Sequence, residues 1–348
     1  MSIAGEGMRI ARVVRGGEWW EHKLVPIFFG FYAGSYLLGR SISSQWESAI
    51  LLLLALVPGA AYVSVVNDLT DLRDDAAAGK ANRMAGRSAA FRTAALLATL
   101  AGGGIFFWLW REDPLRLALY GAAWVAFTLY SVPPIRLKTK GLAGVAADAA
   151  GAHLFPTLLA ATLPFTAGEM PSPPWLAAVA AWSFAYGLRS NLWHQIFDRD
   201  HDRAAGAGTF GARHSRDAVA RFGAWLVFPA ELAALAVLLW LIGSALPLVA
   251  LAAYLLLVRR RVKTWQLRAV IVAPRGNYLI LLHEYYNLFL PLAVLIASAL
   301  AHPLDWLAVA VHLLVFRHGP GVAWHDGWRL IFRPLLQSAR ALLRPARR

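Results

Sequence analysis

The chain has 348 residues, and its 34 Lys and Arg against 20 Asp and Glu give a formal net charge of +14. Hydrophobic residues make up 58% and charged residues only 16%, where a soluble domain carries roughly 25% charged residues, and the mean hydropathy is +0.50. This composition excludes a disordered chain and argues strongly against an ordinary soluble globule. The absence of Cys excludes disulfides, Cys-ligated metal sites and thiol nucleophiles.

The apolar residues form runs near the roughly 20 residues that a helix needs to cross a bilayer. They predict nine spans, at about 24–39, 48–66, 93–110, 115–132, 142–163, 174–193, 220–241, 245–258 and 283–301. A shorter apolar run at 304–316 fits a further span, a re-entrant piece or an interfacial helix. We therefore predict an all-α fold, a polytopic bundle of membrane helices. We divide the chain into a transmembrane domain at 1–303 and a C-terminal part at 304–348.

Charge predicts the orientation of the bundle, because Lys and Arg favour the cytoplasmic side. Of the 34 basic residues, 24 precede the first span or follow the even-numbered spans, and 3 lie in the intervening connections. The N-terminus and the even-numbered connections are therefore predicted inside, with the first helix retained and not cleaved as a signal peptide. These basic residues flank spans and form no single basic face, which argues against a nucleic-acid partner.

The basic tail conflicts with a count of nine spans. The other 7 basic residues lie at 317–348, and their charge favours the inside, whereas nine spans would place the tail outside. Either 304–316 crosses the membrane, or the tail breaks the rule. Residues 328–346 alternate Trp, Leu and Ile with Arg, which is typical of a basic amphipathic helix on anionic lipid.

A first polar motif follows the second span. Asn67, Asp71 and Asp75 are four residues apart, and Asp68 lies three before Asp71, so a continuing helix would project all four from one face. Carboxylates this close repel each other and need a cation, and with water and phosphate oxygens they are the ligands that Mg²⁺ prefers. The alternative is a solvated acidic loop. Ionisable groups at membrane depth are costly and usually functional, so we favour the metal site.

A second motif ends the sixth span, where His194, Asp198 and Asp202 are four residues apart. Asp200 falls on another face and is interpreted as surface charge, and Gly206 is predicted to end the helix. A His and two Asp also suit a transition metal, but the first motif offers oxygen ligands only. Both motifs face the cytoplasm. If they meet across a cavity, they could hold two Mg²⁺ ions and a diphosphate, with nearby Arg and Lys on the remaining phosphate oxygens.

These motifs resemble the UbiA superfamily of intramembrane prenyltransferases over roughly residues 20–300. The resemblance is carried by Asn67-Asp68-x-x-Asp71-x-x-x-Asp75, Asn82-Arg83, Tyr130-Ser131-x-Pro133-Pro134-x-Arg136-Leu137-Lys138, Asp198-x-x-x-Asp202 and Gly206-x-x-Thr209. Two features depart from the family. Members commonly have Arg-Pro where this chain has Arg83-Met84, and many carry other residues in place of His194-Gln195.

The resemblance implies about nine helices around a central cavity that opens to the cytoplasm and laterally to lipid, in a bacterial or archaeal cell membrane. It implies Mg²⁺-dependent transfer of an isoprenoid group from a polyprenyl diphosphate to an acceptor. The metal ligands would be Asn67, Asp68, Asp71, Asp75, Asp198 and Asp202. The diphosphate would contact Asn67, Lys80, Arg83, Arg136 and Lys138. The catalytic residues would be Asp68, Asp71, Asp198 and His194.

The transferred group would pass through an allylic cation, which an apolar cavity protects from water. Aromatic faces stabilise a cation by roughly 0.5–2 kcal/mol each. The candidate aromatic walls are Phe28, Phe29, Tyr32, Tyr62, Phe155, Trp182 and Tyr186. His194 is a candidate for orienting the acceptor or removing its proton, with His153 and Asp148 as weaker candidates.

Several alternatives stay open. Within the same family, cyclisation would use the isoprenoid's own double bond, and phosphoribosyl transfer would use a sugar donor. A transporter would also carry intramembrane carboxylates, although these cluster at one membrane face and not at the midplane. A CDP-alcohol phosphotransferase would need one compact Asp motif, whereas these Asp residues form two sites about 130 positions apart. The acceptor, the isoprenoid length and the oligomeric state are not predicted.

Overall fold

The computed structural model describes residues 16–77, 79–166, 168–204, 206–273 and 276–342. These residues form helices and one pair of short strands. The elements are α1 Gly16–Leu37, α2 Trp46–Thr70, α3 Leu72–Ala77, α4 Ala89–Leu109, α5 Pro114–Ser131, α6 Leu142–Thr162, α7 Pro173–Ala204, α8 Phe210–Arg213, α9 Arg216–Ile242, α10 Leu246–Trp265, β1 Arg268–Val270, β2 Tyr278–Ile280, α11 Tyr285–Ala301, α12 Trp306–Val315, α13 His318–Gly327 and α14 Arg333–Leu342. The predicted all-α membrane fold is confirmed.

Each predicted span falls on a helix, but three helices extend well beyond the apolar runs. The first begins at Gly16, before the predicted start at 24. At their C-terminal ends, α7 continues to Ala204, past the predicted end at 193, and α10 continues to Trp265, past the predicted end at 258. All three extensions are rich in polar residues, at which a search for apolar runs stops. Within the described residues, four helices are long and apolar enough to cross a membrane on their own, namely 43–70, 89–109, 142–162 and 216–242. The count of nine spans therefore stays a prediction.

The backbones of α1 and α6 lie in close contact. A Cβ atom added at Gly30 would lie 2.8 Å from the carbonyl oxygen of Thr157, and one added at Gly34 would lie 2.9 Å from that of Ala161. Small residues four apart allow such close approach in membrane helices. Around this pair, α6 packs on α5 and α7, α2 packs on α4 and α5, and α11 packs on α1 and α10.

The two short strands are parallel, and sequence patterns did not predict them. The guanidinium of Arg189 on α7 holds them against the bundle. It donates to the carbonyl oxygens of Ile271 (3.2 Å) and Leu281 (3.0 Å), one residue beyond each strand. It also forms a bidentate pair with Glu231 of α9, at 2.6 and 2.8 Å. Both charged side chains are almost fully buried, so this ion pair links α7 to α9 inside the fold.

Candidate active site

The first acidic motif does not lie on one continuous helix, so the condition for all four side chains to share one face is not met. The second helix ends at Thr70, Asp71 is its C-terminal cap, and α3 begins at Leu72. The interruption is slight. The N–H of Asp71 still donates to the carbonyl oxygen of Asn67 (2.9 Å), and the N–H of Asp75 donates to that of Asp71 (2.8 Å). The motif therefore follows a bent path.

The side chains of this motif are held individually. Ser131 at the end of α5 donates to Oδ1 of Asn67 at 2.5 Å. Asp68 is buried, with 1% of its surface exposed, and its Oδ2 lies 3.7 Å from the guanidinium of Arg83. Asn82 donates to the carbonyl oxygen of Asp68 (2.7 Å) and to Oδ2 of Asp75 (2.8 Å). The Asn82-Arg83 pair thus holds the loop between α3 and α4 against the first acidic motif.

Two cations of the α5–α6 connection contact the same motif. Arg136 donates to Asp71 at 2.7 Å and to Asp74 at 2.5 Å, and Lys138 also donates to Asp71. Burial lowers the pKa of Lys138, while the Asp71 carboxylate acts in the opposite direction. Asp74 was not a predicted site residue. Its position in the same acidic run, one helical turn after Asp71, is the signal that could have indicated it.

The second motif lies at the end of α7, as the sequence predicts. Oδ2 of Asp202 accepts from Thr209 (3.0 Å), and Oδ1 lies 3.7 Å from Lys80. Burial raises the pKa of Asp202. Gly206 follows the helix with φ of 65°, the left-handed conformation expected of a glycine that ends a helix. Asp200 is exposed and pairs with Arg199 and Arg216, in agreement with its interpretation as surface charge.

The α5–α6 connection, which carries Arg136 and Lys138, is joined to the loop that follows the second motif. The N–H of Gly141 donates to the carbonyl oxygen of Gly208 at 3.0 Å, and Arg213 donates to that of Thr139 at 3.0 Å. A Cβ atom at Gly208 would lie 2.2 Å from the same Thr139 oxygen, so only glycine fits there. Together with the contact between Lys80 and Asp202, these bonds bring the two distant motifs to one site.

A cavity of about 450 Å³ extends from this site into the bundle. Its wall includes Lys23, Leu24, Ile27, Ala55, Leu56, Gly59, Ala60, Tyr62, Val63, Ser64, Asn67, Leu119, Tyr120, Ala123, Trp124, Phe127, Tyr130, Asp148, Gly151, Ala152, Pro156, Leu159, Asn191, His194 and Asp198. Its charged, amide and imidazole members come from the beginnings of α1 and α6 and from the ends of α2 and α7. Because consecutive membrane helices alternate in direction, these positions share one end of the bundle. We call this polar end of the cavity its mouth.

The aromatic wall differs from the predicted one. Of the seven candidate side chains, Tyr62 lines the cavity; its ring lies 4.5 Å from that of Trp124. The other six, Phe155 included, are not among the lining residues. Phe29, Trp182 and Tyr186 belong to a buried aromatic cluster, and Phe28 and Tyr32 contact the C-terminal part of the chain. The missed wall residues are on α5, namely Tyr120, Trp124, Phe127 and Tyr130. Their spacing of three and four along one predicted span was the available signal.

A chain of side-chain amides connects the second motif with Asp148 on the cavity wall. The N–H of Gly211 donates to Oε1 of Gln195 (2.8 Å), Gln195 donates to Asn191 (2.9 Å), and Asn191 donates to Oδ2 of Asp148 (2.9 Å). These hydrogen bonds fix the orientation of the Asp148 carboxylate on the cavity wall. His194 also lines the cavity, but His153 does not: it is buried beside Tyr186, with its ring 5.2 Å away.

The predicted metal ligands are carboxylate and amide side chains of the two motifs. Within the described residues, no three His, Asp or Glu side chains form a ready-made metal cluster. The carboxylates of Asp71 and Asp202 instead face Arg136, Lys138 and Lys80. Apart from His194, the polar side chains of both motifs offer oxygen donors, which suit Mg²⁺ and the phosphate oxygens that it accompanies. The residues present therefore fit a magnesium diphosphate.

Comparisons with known proteins agree with this geometry. The model of the UbiA prenyltransferase family matches residues 24–273. A lycopene elongase/hydratase of Haloarcula japonica is 27% identical over 194 residues, which covers 53% of this chain and 63% of the relative. The chain therefore spans less than two thirds of that relative.

Two solved structures of a UbiA homolog from Archaeoglobus fulgidus have the same fold. The one bound to GPP and Mg²⁺ superimposes with a TM-score of 0.55 at 17% identity and covers 88% of this chain and 99% of its own. Another gives a TM-score of 0.54 at 18% identity, with 88% and 98% covered.

The family match covers well over half of the chain and contains both acidic motifs. It supports the predicted enzyme class, a prenyltransferase. The chain belongs to the UbiA prenyltransferase family.

Proposed function

We propose that the chain transfers an isoprenoid group from an isoprenoid diphosphate to a largely apolar acceptor, with Mg²⁺ as cofactor. One observation carries the proposal: Asn67 and Asp198, one from each motif, line a single cavity whose wall is otherwise largely apolar and aromatic, and Lys138 and Lys80 pair with further carboxylates of the two motifs. A diphosphate with an isoprenoid tail has the same division between a charged head and an apolar chain. The GPP and Mg²⁺ named for the Archaeoglobus homolog support this substrate class.

The head of the donor would bind at the mouth. Lys80, Arg83, Arg136 and Lys138 would move from their present carboxylate partners to phosphate oxygens, since charge-assisted bonds to phosphate are at least as favourable. Asn67, Asp68, Asp71, Asp75, Asp198 and Asp202 would hold Mg²⁺, which when bound neutralises the charge that develops on the departing diphosphate.

The apolar tail would lie along the wall formed by α2 and α5. There the C–O bond to diphosphate breaks, both electrons leave with the diphosphate, and an allylic cation remains. The rings of Tyr62 and Trp124 face this space, and such faces stabilise a cation by roughly 0.5–2 kcal/mol each. Leu56, Leu119 and Leu159 exclude the water that would otherwise capture the cation.

The acceptor would approach the wall that carries Asp148 and His194. A double bond of the acceptor attacks the cation, a C–C bond forms, and the acceptor then loses a proton. Asp148 is the better placed base, because Asn191 holds one of its oxygens on the cavity wall. A polyene is the acceptor to examine first, since the Haloarcula relative is called a lycopene elongase/hydratase.

The purified protein in lipid nanodiscs tests this function. Geranyl, farnesyl and geranylgeranyl diphosphates are supplied with Mg²⁺, and diphosphate release is measured. Asp198→Ala should abolish release, while Asp200→Ala, on the outward face of the same helix, should keep it. Full activity of Asp68→Ala, Asp71→Ala and Asp198→Ala would end the proposal.

Product analysis separates the remaining alternatives. A hydrocarbon product formed without any acceptor would indicate cyclisation. Consumption of a phosphoribosyl diphosphate, and not of the isoprenoid donors, would indicate phosphoribosyl transfer. Flux into liposomes with no covalent product would indicate a transporter.

A further inference from the structure

We infer that residues 303–318 cross the membrane back to the mouth side of the bundle, and that the helix which follows lies along that membrane surface as a docking site for anionic lipid headgroups. We call 318–342, which contains α13, a π-helical turn at Trp328–Phe332 and α14, the C-terminal helix. It lies beyond residue 273, where the family match ends.

The crossing segment, residues 303–318, begins beside the end of α1 that is distant from the mouth, where Asp305 forms hydrogen bonds. Asp305 is fully buried, and its carboxylate accepts from the hydroxyls of Ser41 (2.6 Å) and Ser298 (2.6 Å). It also accepts from the main-chain N–H groups of Ile42 (3.0 Å) and Ser43 (2.8 Å). Four donors on one carboxylate fix residue 305 to the connection that follows α1.

The end of the crossing is fastened at the mouth end of the same helix. Glu21 lies two residues before Lys23, which lines the cavity, and it accepts from the N–H groups of His318 (2.8 Å) and Gly319 (2.9 Å). A carboxylate is favourable at the positive start of a helix. Between the two ends, the hydroxyl of Tyr32 lies 3.1 Å from Nδ1 of His312. The segment therefore runs antiparallel to α1 from one end to the other.

A second set of contacts supports the same side independently. Nε of Arg261 donates to Asp326 of α13 at 2.8 Å, and Arg261 also pairs with Glu284. Glu284 follows His283, whose ring lies 5.5 Å from that of His22 at the mouth end of α1. The basic end of α10 and the C-terminal helix thus share one side.

The crossing is short. The ten residues of α12 extend about 15 Å, against a hydrocarbon core of about 30 Å. A broken crossing is tolerated where it packs against protein, and α12 packs on α11. A re-entrant turn would return to the side of Asp305, which the contacts of Glu21 and Arg261 oppose. A crossing also removes the conflict between nine spans and a basic tail.

The C-terminal helix turns sharply away from the crossing, by 92°. A helix perpendicular to a membrane crossing lies in the membrane plane. Its exposed apolar side chains form one stripe at intervals of three and four residues: Trp324, Trp328, Phe332, Leu335 and Leu336. Asp326 and Leu330 are buried on the opposite face, against the bundle.

Arg329 and Arg333 are exposed at the edge of the apolar stripe. This arrangement, with an apolar stripe, flanking Arg and no exposed acid between 327 and 342, matches an interfacial helix on anionic lipid. Arg340 also belongs to the pattern in sequence, and residues 343–348 lie outside the described part of the chain. The predicted amphipathic tail therefore includes the π-helical turn and the beginning of α14, as far as residue 337.

The natural chain contains no Cys, so single cysteines report directly on position. The full-length protein is reconstituted into vesicles and labelled with a membrane-impermeant maleimide. Gln337→Cys should react together with the mouth-side reference Thr264→Cys and not with the opposite reference Ser172→Cys. Reaction together with Ser172→Cys would overturn the crossing.

Docking is tested with a fluorescent label at the same kind of site. A label on Leu335→Cys should be quenched by nitroxide lipid, and one on Gln337→Cys by aqueous acrylamide, a neutral quencher that anionic lipid does not repel. Adding phosphatidylglycerol to phosphatidylcholine vesicles should protect the Leu335→Cys label from acrylamide by roughly threefold, and Arg329→Gln with Arg333→Gln or high salt should remove the gain. Equal acrylamide quenching at both positions, or protection indifferent to phosphatidylglycerol, would overturn the lipid assignment.

Discussion

The ammonium group of Lys80 lies 3.7 Å from a carboxylate oxygen of Asp202, although the two residues belong to different acidic motifs. Lys80 follows the first motif on a loop, and its N–H donates to the carbonyl oxygen of Asp75. One flexible cation thus bridges the two halves of the site. A bound diphosphate would occupy the same space between them.

We expect Lys80→Met to weaken donor binding more than chemistry. The side chain is about one third exposed, so solvent screens its charge, and a tenfold rise in KM, or about 1.4 kcal/mol, is the expected size. Steady-state kinetics with a saturating acceptor would show it. A fall in kcat with unchanged KM would contradict a binding role.

Lys138 should matter far more than its neighbour Lys140. The ammonium of Lys138 is partly buried against Asp71, whereas Lys140 is exposed. Because a buried cation aimed at developing charge is worth more than a solvated one, Lys138→Ala should lower kcat/KM by about 10²–10³. The matched variant Lys140→Ala should stay within about twofold. Equal effects of the two changes would show that general charge is the cause.

Asp148→Asn should separate diphosphate release from product formation. Asparagine keeps the shape but cannot take the acceptor's proton, so the coupled product should fall by about 10² or more while release continues. Both are measured in one reaction, with a polyene as the acceptor, by diphosphate assay and mass spectrometry. A parallel loss of release and product would instead assign Asp148 to donor binding.

Trp124→Phe should shift the preference toward longer isoprenoid donors. The indole forms part of the cavity wall beside Tyr62, and a smaller ring lengthens the apolar space. We expect the ratio of kcat/KM for geranylgeranyl over geranyl diphosphate to rise about tenfold. Trp240→Phe on the exposed face of α9 is the control and should leave the ratio unchanged.

The Arg189–Glu231 pair should dominate thermal stability in detergent. Removing one partner strands a buried charge, so Arg189→Met or Glu231→Leu alone should cost about 3–5 kcal/mol. The double variant should recover part of that loss, because no charge is then left buried. Unfolding curves of the four proteins form a double-mutant cycle, and strictly additive losses would contradict direct coupling.

Much of the fold and the motif positions could be predicted from the sequence. Apolar runs mark membrane helices directly. Asp198 and Asp202 follow the sixth apolar run closely, and they lie on the polar continuation of the same helix, at the end of α7. The chain direction then places both motifs on one side. What joins them depends on loop backbone: the close fit of Gly208 against Thr139 leaves no sequence pattern of its own.

Other features of the fold and the site could not be predicted from the sequence pattern. The break at Asp71 coincides with its contact to Arg136, which is 65 residues further along the chain. The cavity wall could not be told from lipid-facing aromatic residues, since both occur on apolar helices. The strands beside Arg189 are three residues long, which is too short for alternation to be visible.

The contact of α1 with α6 through Gly30 and Gly34 also bears on how substrates enter. Where the two backbones are in contact, no side chain can rotate to open a gap between them. Separating the helices would therefore break all the packing contacts between α1 and α6 together. We therefore expect this flank of the cavity to stay shut throughout turnover. A hydrophobic substrate that arrives from the surrounding lipid must use a doorway between other helices.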